Sequence, residues 1–144
     1  MRVQKGYPAG ENFVFIFENG TGVRIPVSNY ETKGNRKKLI KAYSELSPIC
    51  GVFYEKEKEP FEIMLVSSAD RAIIVKTSLI PIKNTRTSGG VTLMTMKKDQ
   101  VIRACFSHLG ELENTKGYRK LKIPASGQLL SDKDMGAEQL RIEP

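Results

Sequence analysis

Residues 78–91 form a basic loop that reads Ser78-Leu79-Ile80-Pro81-Ile82-Lys83-Asn84-Thr85-Arg86-Thr87-Ser88-Gly89-Gly90-Val91. A strand-like run at 72–77 leads into the loop, and another at 91–96 leaves it. No acidic residue occurs between Arg71 and Lys98. Long cations beside small hydroxyl and backbone donors suit phosphate. A single loop of this kind is equally compatible with an ordinary solvated surface.

The loop has a second copy earlier in the chain, where Lys33-Gly34-Asn35-Arg36 matches Lys83-Asn84-Thr85-Arg86. At about the same offset, strand-like runs at 13–17 and 23–27 match those at 63–67 and 73–77. A period of about 50 residues made of short strands is typical of propeller-type folds with one small sheet per repeat. The repeat therefore predicts an all-β chain of blades, each with about four antiparallel strands.

Four parts follow from this period. We expect residues 1–11 to be the exit of a preceding blade, 12–60 the first blade, 61–109 the second, and 110–144 a basic partial repeat with a polar C-terminal tail. The partial repeat rests on Thr115-Lys116-Gly117-Tyr118-Arg119-Lys120, which resembles residues 32–37.

Local signals refine the first blade. Asn19-Gly20 lies between two apolar runs and predicts a tight hairpin with positive φ at both central residues, and Pro26 favours an edge or a bulge. Residues 39–43 fit either a helix or a strand, and their match to 91–96 favours a strand. The alternating charges of residues 55–60 predict a solvated turn without a functional role.

Composition indicates the kind of partner. The chain has 144 residues, a net charge of +7 and a pI near 9.5, which favours a polyanion. Its two cysteines, Cys50 and Cys105, lack metal-ligand spacing and are expected to be small core residues rather than a disulfide or metal pair. With no long apolar segment and no signal peptide, the expected location is the cytoplasm.

The usual catalytic motifs are absent from the sequence. It contains no Walker loop, GxGxxG, HExxH or GxSxG pattern, and no carboxylate cluster near its histidine. Of the five tyrosines, Tyr118 between Gly117 and Arg119 is the most plausible nucleophile, but no acidic cluster for Mg²⁺ lies near it in sequence. We therefore expect neither a catalytic site nor a cofactor.

Three segments resemble blades of the C-terminal domain of the A subunit of bacterial type IIA topoisomerases, the family of DNA gyrase and topoisomerase IV. They are Phe15-Ile16-Phe17-Glu18-Asn19-Gly20, Ser67-Ser68-Ala69-Asp70-Arg71-Ala72 and, most specifically, residues 80–94. The resemblance covers about residues 12–107. The gyrase-specific Gln-Arg-Arg and glycine box is missing, with Arg36-Lys37-Lys38 as a faint counterpart, which favours a topoisomerase IV-like or divergent gyrase-like member.

The resemblance implies a β-pinwheel, a propeller-like ring whose blades exchange strands, here an incomplete ring. It implies a non-catalytic module whose basic rim binds and bends or wraps double-stranded DNA without reading its sequence. The catalytic tyrosine would lie elsewhere in the enzyme, and the ATPase B subunit would complete the ATP-dependent topoisomerase. Open sheet edges would permit self-association.

The candidate DNA-binding residues fall into three clusters of basic side chains. The first contains Arg24, Lys33, Arg36, Lys37, Lys38 and Lys41; the second contains Arg71, Lys76, Lys83 and Arg86; the third contains Lys116, Arg119 and Lys120. Because such loops would recur once per blade, DNA that follows the rim would meet a cation cluster at each step. Two alternatives share these electrostatics, namely a propeller-like module that binds an acidic protein partner and a structural RNA binder.

Overall fold

The computed structural model describes residues 10–30, 47–83, 90–107, 109, 112 and 115–134. Its strands are β1 (Asn12–Phe17), β2 (Thr21–Pro26), β3 (Ile49–Glu55), β4 (Glu62–Ser67), β5 (Arg71–Lys76), β6 (Val91–Thr92), β7 (Met94–Thr95), β8 (Ile102–Phe106), β9 (Ala125–Ser126) and β10 (Gln128–Leu129). Short helical segments are 3₁₀ turns at Val27–Tyr30, Thr77–Leu79 and Asp132–Asp134, and α1 at Thr115–Tyr118. Within these described ranges no helix is long and apolar enough to span a membrane.

Two four-stranded sheets form the body of the molecule. The first sheet has the order β3-β1-β2-β6 and the second has the order β8-β4-β5-β10, with antiparallel pairing throughout both. Strand β1 begins at Asn12 and its counterpart β4 at Glu62, while β2 begins at Thr21 and its counterpart β5 at Arg71. Both pairs therefore keep the offset predicted from the repeat. The all-β prediction, the antiparallel four-stranded sheets and the internal period are confirmed.

The β1–β2 hairpin differs in detail from the prediction. Its loop has three residues, and of these only Gly20 has a positive φ, +90°. Asp70 occupies the same place in the β4–β5 hairpin with φ +61°. A three-residue loop with one left-handed residue at its end joins twisted strands as readily as a two-residue turn does. The predicted positive φ at Asn19 was therefore wrong.

Each sheet takes its fourth strand from a later segment of the chain. β6 follows β5 in sequence, yet it pairs with β2 through Thr21–Thr92 and Gly22–Val91. β10 pairs with β5 in the same manner, through Arg71–Leu129 and Ala72–Gln128. We call β6 and β10 the borrowed strands. The interval in sequence between them is shorter than the interval between β1 and β4, which begin the two sheets that receive them. Strand exchange of this kind is what the resemblance implied.

Part of the predicted polar tail, residues 125–134, belongs to the fold. β9 pairs in parallel with β7, β10 completes the second sheet, and Leu130 is buried. The hydroxyl of Tyr118 donates to the buried carboxylate of Asp134 at 2.7 Å and accepts from the amide of Ser131 at 3.0 Å. Residues 1–9, 135–144 and the expected strand at 39–43 lie outside the described residues.

The main core lies between the two sheets. Val14 on one face of β1 and Leu65 on one face of β4 share a fully buried cluster. Fully burying an aliphatic side chain of this size contributes about 1.5–3 kcal/mol. A second cluster, which includes Met64 and Tyr118, covers the opposite face of the second sheet. A third cluster, which includes Phe17, covers the opposite face of the first sheet. Each sheet therefore contributes apolar side chains on both faces, as stacked blades require.

Candidate nucleic-acid interface

The structure describes seven of the predicted DNA-binding residues: Arg24, Arg71, Lys76, Lys83, Lys116, Arg119 and Lys120. The other six lie outside the described residues: Lys33, Arg36, Lys37, Lys38, Lys41 and Arg86. The seven differ in how far each cation is already engaged within the protein. That difference separates side chains that are available to an outside anion from those that stabilise the fold.

Lys83 and Lys120 occupy equivalent places in successive sheets. The amide of Lys83 donates to the carbonyl of Arg24 in β2 at 2.8 Å, and the amide of Lys120 donates to the carbonyl of Ile74 in β5 at 2.9 Å. Both lysines lie at the start of the segment that carries a borrowed strand back to its sheet. Lys83 is exposed and Lys120 is half-buried, and within the described part of the chain neither forms a salt bridge.

Lys76 extends this basic surface in the second sheet. It is exposed at the end of β5 and lines a cavity of about 220 Å³ together with Ser78, Lys120 and Arg119. The cavity also contains Glu62, so its lining is not uniformly positive. The two lysines and the hydroxyl beside this open cavity can donate hydrogen bonds to a phosphate group.

Arg119 is engaged by Glu62. Its Nε and Nη2 donate to the two carboxylate oxygens at 2.6 and 2.9 Å, a bidentate pair on the surface. The hydrogen bond from Arg119 is the main reason that the pKa of Glu62 lies below its ordinary value. Because its charge is already compensated, Arg119 offers an outside phosphate less than Lys120 does.

Arg24 is also engaged, in this case inside the fold. Its Nη1 lies 3.0 Å from Glu55 Oε1, and its Nε donates to the carbonyl of Ile80 at 2.6 Å. Side-chain exposure is 15% for Arg24 and 4% for Glu55. These contacts tie β2 to β3 and to the segment that follows the second 3₁₀ turn, so the described geometry gives Arg24 a structural task.

Glu55 corrects the prediction of a wholly solvated turn. Besides Arg24, its carboxylate accepts from Asn12 Nδ2 at 2.9 Å and from the hydroxyl of Thr77. Burial by itself raises the pKa of Glu55, but hydrogen bonds from Thr77, Asn12 and Arg24 together outweigh it and leave the pKa lowered. The signal in the sequence was strand parity, since Glu55 continues the inward-facing alternation of Phe53.

Arg71 lies at the opposite end of β5 from Lys76, which was predicted to belong to the same cluster. It begins β5, which Lys76 ends, so about 17 Å of extended chain separates the two residues. Nη1 of Arg71 donates to the carbonyl of Gly127 at 2.8 Å. Arg71 lines a different cavity, of about 470 Å³, which also includes Lys97, Gln100 and Ser126. Lys97 was not among the predicted residues.

The third predicted cluster is displaced in register. The sequence match made Lys116 the equivalent of Lys33 and Lys83. The backbone hydrogen bonds instead make Lys120 the equivalent of Lys83. Lys116 is exposed on α1. Lys122, which sequence reasoning missed, is exposed two positions after Lys120 in the segment that leads to β9. The equivalence of Lys120 with Lys83 did have a sequence signal, a shared spacing in which Lys, Gly and Leu stand at 83, 90 and 93 and again at 120, 127 and 130.

Tyr118 is a core residue in this structure. It is fully buried, and burial is the largest cause of a raised pKa for its phenol. A buried phenol with a raised pKa is a poor nucleophile. No group of three or more metal-binding side chains occurs among the described residues.

The antiparallel four-stranded sheets and exchanged strands define the chain as a β-pinwheel fold with no closed ring in the described residues. Solved structures with this fold include the C-terminal domain of DNA topoisomerase IV, with a TM-score of 0.64 and 14% identity over 84% of this chain. The DNA gyrase A C-terminal domain matches with a TM-score of 0.61 and 15% identity over 82% of this chain. The predicted resemblance is thereby confirmed at the level of the fold.

This chain spans 41% and 42% of the length of those two structures. No protein-family model matches the sequence, and no curated protein matches it significantly.

Proposed function

We propose that this chain is a non-catalytic module that binds double-stranded DNA without regard to sequence and bends or wraps it. The observation that carries the proposal is that Lys83 and Lys120 occupy equivalent positions in successive sheets, each held by the same backbone hydrogen bond to a central strand. The similarity to the C-terminal domains of topoisomerase IV and gyrase A supports the same assignment.

Regular spacing is what makes the two lysines suited to a duplex. Sheets packed face to face lie about 10 Å apart, so equivalent residues recur along the stack at a spacing of that order. Duplex DNA presents one charge per about 1.7 Å of axis, and each neutralised phosphate releases counterions. Bending 20–30 bp by 40–90° costs about 1–6 kcal/mol, which several such contacts must offset.

In the whole protein we propose that this module serves an ATP-dependent type II topoisomerase in the cytoplasm. Its partners there would be the ATPase B subunit together with the remainder of the A subunit. The module would bring DNA to the enzyme, while strand cleavage would use a tyrosine outside this chain. The competing assignment is a module for an acidic protein, which would use the same lysines but would not require a duplex.

Binding isotherms on two unrelated duplexes of equal length, at several salt concentrations, test the proposal. Replacing Lys83 and Lys120 with Ala should reduce the log–log salt slope by about two units and weaken binding to both sequences equally, because phosphate contacts carry no base information. Lys56→Ala with Lys58→Ala is the matched control, since it removes two exposed lysines from the turn after β3.

The outcomes separate the candidate functions. An unchanged slope in the Lys83/Lys120 variant, or a loss that depends on the duplex sequence, would contradict the proposed surface. Equal binding to single strands, to RNA or to an acidic polypeptide would favour one of the alternatives. A bending assay by fluorescence transfer between the duplex ends then distinguishes bending from simple binding.

A further inference from the structure

Cys50 and Cys105 lie together, although they are far apart in sequence. Cys50 is on β3, an outer strand of the first sheet, and Cys105 is on β8, an outer strand of the second. Their side chains are close enough for each to shift the pKa of the other. A methyl group built on Gly51 would lie 2.5 Å from Cys105 Sγ, which shows how closely β8 places this sulfur against the β3 backbone beside Cys50.

The pair is half-buried and reduced. Both residues are free cysteines of intermediate exposure and pack against the core between the sheets. The sequence predicted that both are small core residues rather than a disulfide or metal pair, and the fold packs both against the same core cluster. Glycine at position 51 contributes, because any side chain there would displace the Cys105 sulfur.

The two thiols differ in reactivity. The interaction with Cys105 lowers the pKa of Cys50, while the same interaction and burial raise the pKa of Cys105. Because the thiolate is the nucleophile in disulfide exchange, Cys50 is the attacking sulfur and Cys105 is the resolving one.

We propose that Cys50 and Cys105 form a reversible intramolecular disulfide that fastens the outer strands of the two sheets together. With glutathione disulfide as the oxidant, the Cys50 thiolate attacks one sulfur and releases a glutathione thiolate. That thiolate accepts the Cys105 proton. The Cys105 sulfur then attacks the mixed disulfide at Cys50 and releases the second glutathione, so two protein thiols are oxidised as one glutathione disulfide is reduced.

Closure should make the fold harder to unfold. The bond closes a long loop between positions 50 and 105, which restricts the unfolded chain, and it joins two residues that already pack against the same core cluster. For a domain of this size we expect the Tm to rise by about 5–10 °C on oxidation and to return on reduction.

The test uses the whole chain in glutathione redox buffers, followed by alkylation and intact mass. As the buffer becomes more oxidising, wild type should pass from two alkylated thiols to none, and its mass should show no glutathione adduct. A proteolytic digest should contain a peptide that links residues 50 and 105. Cys105→Ser should stop at a glutathione adduct on Cys50, since it lacks the resolving sulfur. Cys50→Ser with Cys105→Ser should show no redox-dependent change in Tm.

Three results would overturn the proposal. They are two alkylatable thiols in wild type at every buffer ratio, glutathione adducts on both cysteines in place of the internal bond, and disulfide-linked dimers as the main oxidised species. Circular dichroism of the reduced variants confirms that each serine substitution leaves the fold intact, so a missing disulfide is then attributable to chemistry.

Discussion

Leu93 and Leu130 occupy the same place in successive sheets. The amide of Leu93 donates to the carbonyl of Gly20 at 2.8 Å, and the amide of Leu130 donates to the carbonyl of Asp70 at 2.8 Å. In both sheets the acceptor is the last residue of a hairpin loop and has a positive φ. Each leucine also places its side chain in a buried cluster, so one residue fixes both the register and the packing of a borrowed strand.

Leu130→Ala should destabilise the fold by about 2–4 kcal/mol, because it leaves a cavity in the cluster around Tyr118. Leu129→Ala is the matched control, since that neighbouring side chain is 56% exposed, and it should change the free energy of unfolding by less than about 0.5 kcal/mol. Urea unfolding followed by circular dichroism measures both. Equal effects would show that residues 128–130 do not dock as described.

Glu55→Gln should destabilise the fold by about 2–4 kcal/mol at pH 7, because the largely buried Arg24 loses its charge partner. The pKa of Glu55 in the fold lies below its unfolded value, about 4.3. Its contribution is therefore present above about pH 4.3 and is lost as the pH falls through the lower folded value.

The difference in unfolding free energy between wild type and Glu55→Gln should thus shrink as the pH falls below about 4.3. Glu59→Gln, an exposed change in the same turn, should follow wild type at every pH. A difference that stays constant down to pH 3 would mean that the Glu55 carboxylate does not support the fold through its charge.

Arg119→Ala and Lys120→Ala should differ in DNA binding although the residues are adjacent. Lys120→Ala should lower the salt slope by about one unit, whereas Arg119→Ala should lower it by much less, because Glu62 already compensates Arg119. Anisotropy titrations of one duplex at four salt concentrations provide the slopes. Equal losses would place Arg119 in the interface and would imply that DNA displaces Glu62.

The outer strand β3 should mediate self-association at high concentration. Among the described strands it lies at the edge of the first sheet, and Val52 on it is 48% exposed. Unpaired edges invite pairing between copies. Val52→Lys should weaken association by about tenfold or more, because a lysine would be buried at the contact. Sedimentation velocity over a concentration series measures the association of wild type and Val52→Lys. Identical profiles for the two proteins would show that the β3 edge does not mediate self-association.

Periodic features of the sequence predicted the parts of the fold that depend on neighbours along the chain. The hairpins β1–β2 and β4–β5 follow from alternating apolar residues around short turns, and the interval between them follows from the repeat. The borrowed strands could not be assigned in this way. β6 and β10 are too short to show a period, and their partners are remote in sequence, as Thr21 is from Thr92 and Ala72 is from Gln128.

The sequence predicted the residue types of the candidate site better than it predicted which individual side chains are available. Net charge and basic loops indicated which residue types matter, and Lys83 and Lys120 remain available in the structure. Whether a cation is already paired depends on contacts that are distant in sequence, such as Arg24 with Glu55 and Arg119 with Glu62. Those partners lie 31 and 57 positions away, beyond any local motif.

The borrowed strands also set an order of events during synthesis. When the chain has left the ribosome only as far as Pro60, β2 still lacks the partner that Val91 and Thr92 will supply. The nascent chain therefore carries an open sheet edge until a further repeat has emerged, and each newly made segment closes the sheet before it. In such a chain each sheet is completed only after the following segment has been synthesised.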